Sequence, residues 1–223
     1  MDYSRHRELF NPYDFNDTHV HVVGVGATGS WLVLSLAKLG ITNIHVYDFD
    51  VVSEHNLPNQ FFSKSQIGMK KVDALYELVK EFADVDIKTY DEEVKENDLK
   101  GYVFNMVDTM TARRTIWENC IRYKPRVKLF IEPRLGMDGS QIYMVNPMKM
   151  SDVKTYEKSM NYSDDDAEVS ACGHSLSVIS SSMAVVSTCV RSMIEHWNEA
   201  KDLPNLIISD YKYNNLLSQE WKM

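Results

Sequence analysis

Apolar residues recur along this chain with two different periods, and the periods alternate. Thr18 to Val25 (THVHVVGV) switches between apolar and polar nearly every residue and is rich in valine, which predicts a first strand. Trp31 to Leu39 is apolar on most sides and stops at Gly40, which predicts a buried helix. Asn43 to Asp48 (NIHVYD) predicts a second strand. Strand, helix and strand in that order form a βαβ unit, with parallel strands and a right-handed crossover. Val72, Leu75, Tyr76, Leu78, Val79 and Phe82 then fall at helical spacing, so 70–82 is an amphipathic helix. A short strand is expected over 85–90, a buried strand over 102–107 ending at Asp108, and a helix over 111–123. Further strands are expected over 127–131 and 141–145. This series predicts an α/β fold, a Rossmann-like mixed sheet with helices on both faces.

The pattern fails from Met148 to Ala171, where large apolar residues are few and Asp164, Asp165, Asp166 and Glu168 form an acidic run. A loop of that length inside a domain is usually functional or disordered. A long helix is expected over 173–197, with Val178, Met183, Val186 and Val190 as a core or dimer-interface stripe. A last strand is expected over 206–209, followed by a polar tail over 210–223. No internal repeat is visible, and 223 residues suit one domain, with 18–110 as its nucleotide-binding half.

Composition narrows the partners. Lys and Arg number 24 against 32 Asp and Glu, a net charge of −8, which argues against DNA or RNA as the main partner. One bound nucleotide remains compatible with that charge. There is no apolar run of about 18 residues, so no membrane span is expected. The opening MDYSRHRELF is charged and unlike a signal peptide. Cys120, Cys172 and Cys189 are three in number and widely spaced, which predicts neither a disulfide framework nor a cysteine zinc site. A reducing cytoplasm is the expected compartment. Cys120 and Cys189 fall within helical patterns and read as core.

Chemistry enters at Gly24, Gly26 and Gly29, a G-x-G-x-x-G set between a predicted strand and helix. The first glycine permits the turn, the second lets backbone approach phosphate, and the third lets helix pack on strand. The helix N-terminus then offers free N–H groups and partial positive charge to an anion. Asp48 closes the second strand, where an acid commonly binds a ribose hydroxyl. To this point an NAD-binding domain fits equally well.

The residues that follow separate the readings. Asp48 to Gln60 (DFDVVSEHNLPNQ) resembles the D-x-D-x-V-x-x-x-N-L-x-R-Q stretch of the ThiF/MoeB/ubiquitin-activating superfamily. Gly68 and Lys71 resemble its G-x-x-K, and Asp108 to Arg113 (DTMTAR) its D-N-x-x-x-R. Tyr3 to His6 (YSRH) resembles its N-terminal Y-S-R-Q, and Cys172-Gly173 its cysteine-bearing segment. The resemblance implies a ThiF-type adenylyltransferase that uses ATP and Mg²⁺ to activate the C-terminal carboxylate of a small ubiquitin-like or sulfur-carrier protein. It implies a homodimer as well. By that resemblance Asp48 holds ribose, with Asp50 beside it in the motif, and Gly26 and Gly29 lie against the nucleotide. Asn56 orients ribose or phosphate, Gln60 binds phosphate and Lys71 stabilises the α-phosphate. Asp108 holds Mg²⁺, Arg113 supports the site from the next helix, and Arg5 reaches into the partner subunit's site. Cys172 would take the activated carboxyl as a thioester or persulfide, its thiolate favoured by the helix start. The 148–171 segment would border the carrier tail's channel.

Two positions and one missing motif depart from the family pattern. Asn59 stands where it has an arginine, His6 where it has a glutamine, and the paired C-x-x-C zinc motifs are absent, so no zinc is expected. Two rival readings stay open, and a third is a relative that turns the same adenylate chemistry on a small molecule or a tRNA base modification. An NAD-dependent oxidoreductase explains the glycine turn and Asp48 but not Asn56, Gln60, Lys71 and Asp108. A non-catalytic scaffold of the same fold draws its support from Asn59.

Overall fold

The computed structural model describes residues 1–161, 178–213 and 215–220. Eight strands form one sheet in the order β3-β2-β1-β4-β5-β6-β7-β8. The strands β1 (Val20–Val23), β2 (Ile44–Tyr47), β3 (Lys88–Tyr90), β4 (Gly101–Asn105) and β5 (Val127–Leu135) run parallel. The strands β6 (Gly139–Val145), β7 (Leu206–Asp210) and β8 (Asn215–Gln219) continue the sheet antiparallel.

The short helix α1 (Pro12–Phe15) leads into β1. Then α2 (Gly29–Lys38), α3 (Lys71–Ala83) and, near the C-terminus, α6 (Ile179–Trp197) pack on one face of the sheet. The other face carries α4 (Met110–Ile116), the wide π turn Trp117–Ile121 that continues it, and α5 (Met150–Lys158). Helices thus cover both faces, as the sequence predicts, and the central strands are buried on both sides. Val20, Val22, Ile44, Val46, Tyr102 and Phe104 belong to the first face's core; Val23, Tyr47, Val103 and Phe130 belong to the second. The strand period of two divides them. It also sends His21, His45, Asn105 and Glu132 to the second face, where all four are buried.

Three expectations are corrected. The segment from 148 is not patternless throughout: α5 forms over 150–158, because Val153, Tyr156 and Met160 sit at helical spacing and bury. The tail is not merely polar, since Asn215–Gln219 pairs with β7. Its Leu216 and Leu217 are exposed, so main-chain hydrogen bonds rather than burial hold that strand. On α6 the expected stripe is core at Val186 and packs on the core at Val190, but not at its other two positions. Val178 and Met183 are exposed, and the buried face is Ser181, Ser182, Val185, Val186, Cys189, Ser192 and Met193. Small side chains there let the helix lie close to β5, β6 and α2. Cys120 and Cys189 are free and buried, as expected of core positions.

Candidate nucleotide site

The strand order places β1 between β2 and β4, so consecutive connections leave in opposite directions at the carboxyl end of β1. That is the switch point at which open α/β sheets bind ligands. The glycine turn sits there. Gly24 has φ +88°, and a Cβ on it would lie 3.0 Å from the Met106 carbonyl group. A Cβ on Gly29 would lie 2.0 Å from the Gly24 oxygen. Both glycines therefore hold the turn and the start of α2 against the ends of β1 and β4. Gly26 differs, because among the described residues the space over its α-carbon is open and the nearest atom is Gln60 Nε2 at 4.0 Å. The absent side chain at 26 leaves room, not packing.

Asp48 fastens the turn. Its Oδ2 accepts from the Val25 N–H at 2.7 Å, and its Oδ1 accepts from the Asp50 N–H at 2.9 Å. The Lys71 ammonium donates to Asp50 Oδ2 at 2.7 Å, and its backbone N–H donates to the Asp50 carbonyl. Lys71 is buried, at 6% exposure, while Asp50 is exposed. A lysine at the first turn of α3 opposes the helix dipole. Asp50 compensates it and fixes the ammonium at the same sheet edge as the glycine turn.

The loop between β2 and α3 folds over that edge. Asn56 is buried and closes the turn Glu54–Asn56: its Oδ1 accepts from the Ser53 N–H at 2.9 Å and the Ser53 hydroxyl at 2.8 Å. Ser30 ties the loop to the glycine turn, since its hydroxyl donates to the Gly26 carbonyl and accepts from the Phe61 N–H. Trp31 Nε1 donates to the Asn59 carbonyl. Among the described residues Gln60 Oε1 is buried without a hydrogen-bond partner, beside the open space over Gly26. A buried acceptor without a donor is costly in the free protein.

Asp108 lies exposed, three residues past β4, on the connection whose Met106 touches Gly24. The helix-capping duty belongs to its neighbour: Thr109 Oγ1 accepts from the Ala112 N–H. Arg113 is buried and turned towards β5, donating to the Pro133 carbonyl at 3.0 Å and pairing with Glu132 Oε1 at 3.2 Å. Arg5 is exposed in a segment moored at the far end of α2, where His6 Nε2 contacts the Leu39 carbonyl and Tyr3 lies over Gly40. Ten residues of helix, about 15 Å, separate that end from the glycine turn. Cys172, the acidic run and the expected channel segment from 162 on lie outside the described residues.

One feature of this end of the sheet has only a faint sequence signal. Glu132 is fully buried on β5 and is met by four donors. They are Asn105 Nδ2 at 3.0 Å, Arg113 Nη1, Arg134 Nε at 2.8 Å and the Tyr156 hydroxyl at 2.5 Å. Burial and the neighbouring carboxylate push the Tyr156 hydroxyl well above its ordinary pKa, which keeps it a donor. Burial opposes the charge on Arg134, but Glu132 together with Tyr156 and Tyr143 outweighs it and raises that pKa. A charged pair E-x-R inside an apolar strand is the only sequence trace of this cluster.

A model of the ThiF family matches residues 10–222, and the chain belongs to that family. It is 26% identical over 119 residues to the tRNA threonylcarbamoyladenosine dehydratase of Escherichia coli K12, covering 49% of this chain and 44% of that protein. It is 33% identical over 75 residues to ubiquitin-like modifier-activating enzyme 5 of Oryza sativa subsp. japonica, covering 33% of this chain and 18% of that protein. Among solved structures, PaaA superposes with a TM-score of 0.72 at 17% identity, over 93% of this chain and 65% of its own. The E. coli MccB crystallised with AMPCPP and MccA superposes with a TM-score of 0.68 at 14% identity, over 92% and 64%. The chain thus spans less than two thirds of each of these relatives.

Proposed function

We propose that this protein is an adenylyltransferase that joins AMP from ATP to a carboxylate at the end of a small ubiquitin-like protein or peptide. The observation that carries the reading is the row of short hydrogen bonds Val25–Asp48–Asp50–Lys71, which locks a phosphate-accepting turn and a buried ammonium at one sheet edge. A dinucleotide fold needs the turn and Asp48 but has no use for the lysine. The unanswered Gln60 oxygen and the open space over Gly26 fit a ligand with both donors and bulk, such as nucleotide.

In the reaction, a carboxylate oxygen forms a bond to the α-phosphorus, the bond from that phosphorus to the bridging oxygen breaks, and pyrophosphate leaves. The difficulty is anion approaching anion, so cations placed beforehand contribute most. Lys71 neutralises the α-phosphate, with Asp50 setting its direction. The backbone N–H groups at the start of α2 receive phosphate. Asp48, already accepting two N–H bonds, offers its remaining lone pairs to ribose. Asn56 shapes the loop that brings Gln60 to the phosphates, and Asn59 lines the same loop. Asp108 would hold Mg²⁺, which would supply charge neutralisation for the phosphates. Arg113 stiffens the floor of the site through Glu132. Arg5, moored about 15 Å of helix from its own turn, serves the site of a second copy in a homodimer. Cys172 is the candidate acceptor for the activated acyl group. With a net charge of −8, a protein or peptide tail suits the chain better than tRNA.

ATP–pyrophosphate exchange, stimulated by peptides ending in glycine or asparagine, tests the reading. Lys71→Ala and Asp108→Ala should each lower exchange by about a thousandfold while circular dichroism stays native. Full exchange in either variant overturns the assignment. Binding of NAD instead of Mg-ATP in calorimetry favours the oxidoreductase, and ATP binding without exchange favours the scaffold.

A further inference from the structure

The parallel register of β1 and β2 sets His21 beside His45, and His19 lies on the same face just ahead of β1. The three rings stack, with centroids 4.5 Å apart for His21–His45 and 4.9 Å for His19–His45. One ring nitrogen from each lies within 4.8 Å of the other two. His19 Nδ1 and His45 Nε2 are 2.9 Å apart. Among the described residues His21 Nε2 is buried with no hydrogen-bond partner, on a side chain in a residue only 3% exposed.

The far nitrogens are held. His21 Nδ1 meets the Tyr47 hydroxyl at 3.1 Å, and His45 Nδ1 meets the Tyr90 hydroxyl at 3.1 Å. A tyrosine hydroxyl can donate or accept, so each can take an Nδ1 proton when Nε2 binds an ion, as outer partners do for metal-bound imidazoles. In the metal-free protein His45 Nε2 carries the proton that faces Asn43 Oδ1. Asn43 Oδ1 lies 3.2 Å from His45 Nε2 and can complete a fourth position.

We infer that His19, His21 and His45 form a binding site for a divalent transition metal of the zinc type, at the amino end of the sheet. Three neutral imidazoles and one amide oxygen suit Zn²⁺, Co²⁺ or Ni²⁺, whereas Mg²⁺ and Ca²⁺ favour carboxylates. Metal–nitrogen bonds of about 2.0–2.1 Å place the nitrogens about 3.3 Å apart. The His19–His45 pair at 2.9 Å must open slightly, and the set, all within 4.8 Å, must converge on one point. The stacked rings must fan slightly, and His19, partly exposed, is the ring with room to turn. Burial, with Lys88 and the other rings, holds His21 at about 3 and His45 at about 4, so both are neutral at physiological pH. Lys88, whose ammonium donates to Asn43 Oδ1 at 3.0 Å, repels an ion as it repels a ring proton. Micromolar affinity is therefore the expectation. The nucleotide turn lies at the opposite end of β1, so the two sites are separable.

The test uses the full chain without a polyhistidine tag, stripped with chelator and titrated with Co²⁺ and then Zn²⁺. One Co²⁺ per chain should bind, with visible d–d bands that Zn²⁺ removes. His19→Gln, at a partly exposed position, should weaken Zn²⁺ by about tenfold or more with an unchanged melting temperature in chelator. His45→Gln should weaken it likewise. Absence of binding, or equal affinity in the His19→Gln protein, overturns the site and leaves a hydrogen-bonded histidine ladder. Mg-ATP affinity, measured in the same samples with and without Zn²⁺, should not change, so failure here leaves the nucleotide site untouched.

Discussion

At the scale of single residues, the three glycines of the turn do different work, and substitution separates them. Gly26→Ala meets no atom nearer than Gln60 Nε2 at 4.0 Å and needs no positive φ. The variant should keep its melting temperature within about 2 °C, because alanine fits the backbone and reduces unfolded-state entropy. It should nevertheless lose Mg-ATP binding, since the methyl fills the phosphate's approach. Gly29→Ala puts a methyl 2.0 Å from the Gly24 oxygen and should lower stability by at least about 3 kcal/mol. Thermal melts beside nucleotide calorimetry check both. If Gly26→Ala binds Mg-ATP normally, the nucleotide does not use that opening.

At the scale of elements, β5 joins two kinds of chemistry. Its Leu129 and Ile131 feed one core, and its Glu132 gathers two arginines, an asparagine and a tyrosine on the other side. Glu132→Ala strands Arg113 and Arg134 in the interior and should cost about 3–5 kcal/mol in urea unfolding. Asp98→Ala removes a partner of Arg126 at an exposed position and should change stability by less than about 0.5 kcal/mol. A similar small change for Glu132→Ala would show that water, not the two arginines, satisfies that carboxylate.

The same scale explains what the sequence discloses. The unit β1-α2-β2, the helix over Lys71–Ala83 and strands β4 to β7 are readable because both faces of the central strands bury and their apolar runs are dense. The glycine turn, Asp48 and Lys71 are readable because their spacing is local. The helix α5 escapes notice because three buried residues, Val153, Tyr156 and Met160, anchor an otherwise polar segment. The strand β8 escapes because backbone pairing with β7, not pattern, holds it. Glu132 and the three histidines escape for a different reason: Asn105 with Glu132, and His21 with His45, meet only through inter-strand register, which no single stretch of sequence reveals. The inward direction of Arg113 is likewise a matter of tertiary packing.

At the scale of the whole molecule, the placement of Arg5 makes a prediction about assembly. Arg5→Ala and Lys71→Ala each damage the proposed site, but from different copies if the site is shared. Mixed after partial denaturation and refolding, the two inactive variants should recover about a quarter of normal exchange, since half the pairs are mixed and each mixed pair holds one intact site. Equilibrium sedimentation on the same mixture reads the assembly directly. No recovery in a confirmed dimer means that each copy supplies its own arginine, and full exchange in Arg5→Ala alone means that the site needs none.

The contact of α2 with the end of β1 has a mechanical consequence. With no side chain between Gly29 and Gly24, the N-terminal end of the helix is bolted to the sheet like an anvil. Whatever give a bulky tail demands on arrival must come from the hammer side, the stretch carrying Asp50, Asn56 and Gln60, which hangs on a few side-chain pins such as Ser30. Loosening a pin should therefore blunt the stroke, slowing turnover, before it loosens the grip on ATP.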